Sequence, residues 1–201
     1  MKSIPKVILE RCQSLKEGVV LAPKEFLHLG SRAAVDQAFC RLVKAGRLMR
    51  IARGAYVVPV RNETGHQAPS IESVADSISV QGKQAIALDG ARAANMLGLT
   101  TATSAQRGYL TTGRSKQLII GEQVVVLQHA PYWQLALGST PAGDALRALA
   151  WLGKERAEAV AKQLRDQLPP GEWDVLTSVR ASVPSWMATA LGKASMHTAL
   201  H

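Results

Sequence analysis

Ser31, Arg32, Gln37, Arg41 and Lys44 lie within one short stretch, and Arg47, Arg50 and Arg53 continue from Lys44 at every third position. The segment that holds them, GSRAAVDQAFCRLVKAGRLMRIARGAYVVP from Gly30 to Pro59, carries six basic side chains and one acid, Asp36. These residue types share a chemistry. An Arg fork can grip a phosphate or the O6/N7 edge of guanine, and a Gln amide matches the N6/N7 edge of adenine. A Ser at a helix start and a Lys ammonium can hold phosphate oxygens. The same side chains also suit the solvated face of an ordinary amphipathic helix, because a polar free face is what such helices present to water.

The spacing separates a core face from a free face. At about 100° per residue, Val35, Ala38, Phe39, Leu42 and Val43 fall together on a helix running from Arg32 to Ala45. Ala33, Gln37, Cys40 and Lys44 fall opposite, with Arg41 beside them. Ser31 is the expected N-cap and Gly46 the expected stop. Beyond it, RLMRIARGAYVVP has two β-prone arms about Arg53-Gly54 and reads as a hairpin with a basic tip. A side chain at such a tip projects far enough to enter a minor groove or grip a backbone. Four cations from Lys44 to Arg53 with no acid among them move the balance from solvated surface toward nucleic-acid contact. The expected contacts are Ser31, Arg32, Gln37, Arg41, Lys44, Arg50 and Arg53.

Around this segment the breakers mark out further elements. SIPKVILERCQSLKEG predicts a first helix, with Ser3 as cap, Pro5 in its first turn and Gly18 as its stop. VVLA is a short β-prone run, and PKEFLHLG predicts a short helix from Pro23 to the breaker Gly30. Helix, short strand, helix, tight turn, helix and hairpin is the order of a winged helix-turn-helix. The polar stretch 62–70 reads as a linker. After it come a helix (IESVADSISVQG), a buried strand (QAIALDG), a helix (ARAANMLGL) and two or three strands joined at Gly113-Arg114-Ser115 and Gly121-Glu122. From Pro141 the pattern is helical: Ala157, Ala161, Leu164 and Leu168 form one stripe, and PPG at 169–171 breaks it. The expected fold class is α+β: a winged helix-turn-helix over 1–61, a linker over 62–70, and a mixed α/β domain over 71–201 that ends in helices.

Composition bounds the function. The chain has 201 residues, 47% of them apolar and 4% aromatic, so a core is expected to rest on Leu, Val, Ile and Ala. Its net charge of +9 is unevenly spread. Residues 1–61 hold twelve bases and four acids, leaving twelve and eleven for the remainder, so nearly all the excess is N-terminal. A polyanion partner follows, and nucleic acid fits better than a membrane surface because no strongly hydrophobic amphipathic stretch accompanies the charge. The N-terminus is broken by charges and Pro5, unlike a signal peptide, and no run approaches the roughly 18 to 20 apolar residues of a membrane helix. The expected location is the cytoplasm, with Cys12 and Cys40 as reduced, small apolar fillers.

Catalytic constellations are sparse. His28, His66, His129, His197 and His201 are scattered without metal-ligand spacing. TTGRSK at 111–116 lacks the spacing of a P-loop and reads as a hairpin turn. Asp89 follows a buried apolar run but has no second carboxylate nearby, which suits a helix N-cap. No G-x-S-x-G nucleophile motif is present. Neither a catalytic residue, a cofactor nor a metal is expected.

FLHLGSRAAVDQAFCRLVKAGRLMRIARGAYVVP resembles the N-terminal winged helix-turn-helix of the AbiEi-family antitoxins, in which a helix ending like RLVKAGRL precedes a wing like RIARGAYVVP. SIESVADSI, ALDGARAANMLGL, GYLTTGRSKQLIIGEQVVVLQHA, ALRALAWLGKE and VPSWMATAL, in that order, resemble the second domain of the family's shorter branch. The resemblance implies a type IV toxin–antitoxin system. Its antitoxin represses its own operon through the winged domain, on double-stranded DNA, and counteracts a toxin resembling nucleotidyltransferases. Two protomers on an inverted repeat are the usual arrangement for such modules. Two other readings stay open: a winged-helix regulator whose second domain senses a ligand or dimerises, with no toxin, and an enzyme acting on nucleic acid at Asp89 or the Gly113 turn.

Overall fold

Residues 3–62, 65–102 and 107–196 are described by a computed structural model of mixed α+β architecture. The chain divides into two compact units, Met1–Gln84 with Gln117–Val125, and Ala85–Lys116 with Val126–His201.

In the first unit, α1 (Ile4–Gln13) buries Ile8 and Cys12, four residues apart on one face. Ser3 stands at its N-cap position without a side-chain cap bond. The VVLA run then passes beside the later hairpin: Leu21 N–H donates to Tyr56 O at 2.7 Å, and Tyr56 N–H donates to Leu21 O at 3.0 Å. Pro23–Leu29 winds as a 3-10 helix, with the Glu25 carboxylate accepting from Ala22 N–H at 2.8 Å.

Helix α2 (Arg32–Lys44) is specified at both ends. Ser31 Oγ accepts from Ala34 N–H at 3.3 Å. At the other end Arg47 N–H reaches Leu42 O at 2.8 Å and Gly46 N–H reaches Val43 O at 3.0 Å, the paired bonds of a Schellman motif. That motif needs a left-handed residue, and Gly46 supplies it at φ +65°. The chain is thereby turned so that Leu48 drops into the core, 1% exposed. Strands β1 (Met49–Ala52) and β2 (Ala55–Val57) pair antiparallel about Arg53-Gly54, with a register shift between Arg50 and Ala52.

One cluster of Ile8, Leu21, Phe26, Val35, Phe39, Leu42, Leu48 and Tyr56 joins these elements. Strands β3 (Val60–Asn62) and β4 (Gly65–Gln67), in and beside the stretch read as linker, form a second antiparallel pair. Helix α3 (Ile71–Gly82) also falls within this unit. Three bonds tie α3 to the segment after α1: Ser70 N–H to Glu17 Oε1 (2.9 Å), Val20 N–H to Ser77 Oγ (2.9 Å), and Gln81 Nε2 to Val20 O (2.9 Å).

The second half of the chain supplies β5 (Ile86–Leu88), α4 (Gly90–Met96), β6 (Arg107–Thr111), β7 (Lys116–Ile120) and β8 (Gln123–His129). Their sheet has the order β5-β6-β8-β7. This corrects one expectation: TTGRSK is not a hairpin turn, because β8 lies between the two strands that it connects. Gly121-Glu122 does join neighbouring strands, β7 and β8.

Four helices follow, α5 (Pro141–Leu152), α6 (Ala157–Gln167), α7 (Pro170–Ser178) and α8 (Ser185–Met196). Their core includes Leu146, Leu149, Ala161, Leu164, Leu176, Met187 and Leu191. The stripe Ala157, Ala161, Leu164 and Leu168 is buried. In α5 seven residues are buried, the mark of a helix enclosed on most sides. Helix α4 approaches it closely at Gly90, where a Cβ would stand 2.5 Å from Arg147 O. Among the described residues no helix is long and apolar enough to cross a membrane.

Phe39 is fully buried, edge-on to Phe26 at 5.6 Å between ring centroids and 4.7 Å from Tyr56. Replacing it with Ala is expected to destabilise the first unit by about 3–5 kcal/mol, the range for a buried Phe truncation. Urea unfolding of the full chain should register this as an early transition lost or shifted to lower denaturant, with helices α5–α8 unfolding as before.

Candidate nucleic-acid interface

The wheel is reproduced in α2. Val35, Ala38, Phe39 and Leu42 are buried, while Ala33, Gln37, Cys40, Arg41 and Lys44 are exposed. The packing of Phe39 against Phe26 and Tyr56 fixes the rotation of the helix about its axis, so Gln37, Arg41 and Lys44 must share the outer face. The N-terminal residues differ in availability. Ser31 Oγ is engaged as the cap, and Arg32 Nε is paired with Asp36 Oδ2 at 2.8 Å, on side chains 60% and 47% exposed. An exposed i,i+4 pair of this kind contributes only about 0.2–0.5 kcal/mol, so a phosphate can displace the carboxylate readily.

Among the described residues, Arg41, Lys44, Arg47 and Arg53 have no ion-pair partner. Arg53 is exposed at the β1–β2 turn, where Gly54 takes φ +69° and lets two residues reverse the chain. Arg50 is exposed on β1, and its Nε donates to Ala52 O at 3.3 Å, which leans the side chain along its own strand toward the tip. The structure thus places Gln37, Arg41 and Lys44 on one helix face and Arg50 and Arg53 on the hairpin that the Schellman turn launches from that helix. Among the described residues no hydrogen bond or ion pair links the two groups. Both are built on the same buried cluster.

Three exposed groups on the segments flanking α2 were not among the expected contacts. Arg47, just past the helix end, belongs to the every-third-residue series that already included Arg50 and Arg53. Lys24 and His28 are exposed on the 3-10 segment before α2, and nothing in their spacing singles them out.

Cys40 requires a correction. It is exposed rather than a core filler, because it sits on the outer face between Gln37 and Lys44. Cys12 is buried, and burial pushes its thiol above the ordinary cysteine range.

Elsewhere, Asp89 Oδ1 accepts from Arg92 N–H at 2.9 Å as the N-cap of α4. Arg147 is the most deeply buried charge, 1% exposed, with Nη2 on Asp144 at 2.5 Å and Nη1 on Gly138 O at 2.9 Å. Its burial lowers its pKa while the carboxylate partly opposes that. Sequence patterning missed it, since it interrupts an apolar helix. Among the described residues no group of three His, Cys, Asp or Glu side chains could hold a metal ion. His197 and His201 lie outside those residues.

With its two units and exposed basic helix face in view, the chain can be placed among known sequences. It belongs to the family of unknown function DUF6088, whose profile matches residues 7–169. Comparison with curated proteins and with solved structures returned no match.

The two thiols should separate kinetically. A disulfide-exchange reagent added to the native protein is expected to label one thiol quickly, at Cys40, and the second only as denaturant opens the first unit. Peptide mapping showing Cys12 labelled as fast as Cys40 would contradict the packing described.

Proposed function

We propose that the first unit is a winged helix-turn-helix that binds double-stranded DNA, and that the protein is an antitoxin of the type IV class that represses its own operon. The carrying observation is the exposed, largely acid-free basic face of α2 followed by a hairpin with Arg53 at its tip. The Leu21–Tyr56 bridge supports it, since it gives the hairpin a third strand-like partner and a firm base from which to project. In this reading Gln37 and Arg41 face base edges, Ser31 and Lys44 sit toward phosphates, and Arg50 and Arg53 hold the backbone or a minor groove. Arg32 joins them on release from Asp36. The antitoxin half rests on the resemblance of the later segments to the AbiEi family, and its partner would be a nucleotidyltransferase-like toxin encoded beside it. No cofactor, metal or catalytic group enters the proposal.

Affinity for a duplex should be strongly salt-dependent. If Lys44, Arg47, Arg50 and Arg53 each neutralise one phosphate, log affinity falls against log salt with a slope of about −3.6. The test is a fluorescence-anisotropy titration on the DNA upstream of the protein's own gene and on a scrambled duplex, at several salt concentrations. Tight, selective binding is expected on the first. Arg53→Ala should weaken both duplexes alike and flatten the slope by about one, whereas Gln37→Ala should cost about 1–3 kcal/mol on the cognate duplex alone. Equal affinity for both duplexes in the unsubstituted protein would reject the repressor reading. Failure to rescue growth when co-expressed with the neighbouring gene's product would reject the antitoxin half separately.

A further inference from the structure

The crossover between β6 and β7 carries a site that the DNA-binding reading does not use. Thr112, Gly113, Arg114, Ser115 and His129 line an open concavity of about 470 Å³, within the size range of small-ligand sites. All five belong to the second unit. The turn is fixed from several directions. Thr112 exchanges bonds with Ala85, N–H to O at 3.1 Å and Oγ1 from Ala85 N–H at 3.0 Å. Gly113 N–H donates to Oγ1 of the fully buried Thr111 at 3.0 Å. His129, at the end of β8, closes the other side, its N–H donating to Ser115 Oγ at 2.8 Å and its Nδ1 standing 2.9 Å from Gly113 O.

These bonds determine what is left for a ligand. A carbonyl oxygen only accepts, so His129 Nδ1 must carry its hydrogen, and Nε2 is the ring atom that remains free. Ser115 Oγ accepts from the backbone, which leaves its own hydrogen to donate. Arg114 is exposed and has no partner among the described residues. Among the described residues no carboxylate lines the concavity. A guanidinium, a hydroxyl and an imidazole, held by a braced turn, offer donors to more oxygens than a carboxylate possesses. A phosphoryl group, with three terminal oxygens, matches them: its oxygens can accept from the Arg114 guanidinium, from the Ser115 hydroxyl and, in the imidazolium form, from His129 Nε2, while Nδ1 stays on Gly113 O. Because the turn is already ordered, little conformational freedom is lost on binding.

We propose that Arg114, Ser115 and His129 form a binding site for a terminal phosphoryl group, as carried by a nucleoside diphosphate or by inorganic pyrophosphate. The site is distinct from the helix and hairpin of the first unit and stands or falls independently of DNA binding.

The test is calorimetric titration of the full chain with pyrophosphate, with ADP and with acetate. Pyrophosphate and ADP are expected to bind and acetate not to. Tighter binding of ADP would identify the nucleotide as the source, and equal binding would mean that the phosphoryl group alone is read. Arg114→Ala should weaken both by about tenfold or more, the worth of a charge-assisted bond. His129→Gln, which keeps a donor for Gly113 O, should weaken them too. Lys154→Ala, an exposed charge removed elsewhere in the same unit, should change nothing. Absence of binding by both phosphoryl probes, or unchanged affinity in Arg114→Ala with an unchanged circular dichroism spectrum, would overturn the proposal.

Discussion

The arrangement of the first unit depends on where Phe39 is buried. In a chain with few aromatics, three of them, Phe26, Phe39 and Tyr56, meet in one cluster. They come from three different elements: the 3-10 segment, α2 and the second strand of the hairpin. Phe39 therefore sets the rotation of α2, and Tyr56 anchors the hairpin to the same point while its backbone holds Leu21. Rotating α2 by one residue would move Phe39 about 100° out of its slot and carry Gln37 and Arg41 off the outer face together. The outer surface is thus a consequence of the core, and the polar side chains are displayed without having to contribute to stability.

That separation matters for electrostatics. Clustered cations repel one another, and the folded state must offset the repulsion from elsewhere. Here the offset comes from apolar contacts under α2 and from two well-formed helix ends, at Ser31 and Gly46. The Arg32–Asp36 pair is the one local neutralisation on the helix, and it lies in the first turns, where the helix dipole already disfavours a cation. Toward the C-terminal end the dipole favours Arg41 and Lys44, which can stay unpaired at low cost. The gradient leaves free positive charge where α2 runs on into Arg47 and the hairpin.

Much of this was legible from residue types. The helix limits at Ser31 and Gly46 follow from cap chemistry, the inner face from 3.6-residue periodicity, and the hairpin from Arg53-Gly54 between β-prone arms. Less was legible where tertiary partners decide. Residues 62–70 have the composition of a linker, yet Gly65–Gln67 pairs with Val60–Asn62, because short polar strands carry no apolar alternation to announce them. TTGRSK looks like a hairpin turn in any local reading, and only the sheet order shows that β8 intervenes. Cys40 was misjudged by residue type, although its place on the wheel already put it outside. Of the proposed contact residues, sequence identified the face but not the occupancy: that Arg32 is paired and Ser31 engaged is knowable only from side-chain geometry.

The second unit follows another principle. Helix α5 has small residues at Ala142, Gly143, Ala145 and Ala148, which allow neighbours to approach closely, and its one long polar side chain, Arg147, is turned inward. A buried guanidinium is costly unless its donors are used. Here Asp144 and the carbonyls of Gly138 and Gln134 take up its two terminal nitrogens, leaving Nε unpaired. An apolar residue of similar size would fill the space with less desolvation, but it could not tie the 134–138 segment to the helix through main-chain oxygens. Arg147 is therefore best understood as a determinant of one particular packing of that segment on α5 rather than as a source of net stability, and the unpaired Nε is consistent with a contact selected for geometry over energy.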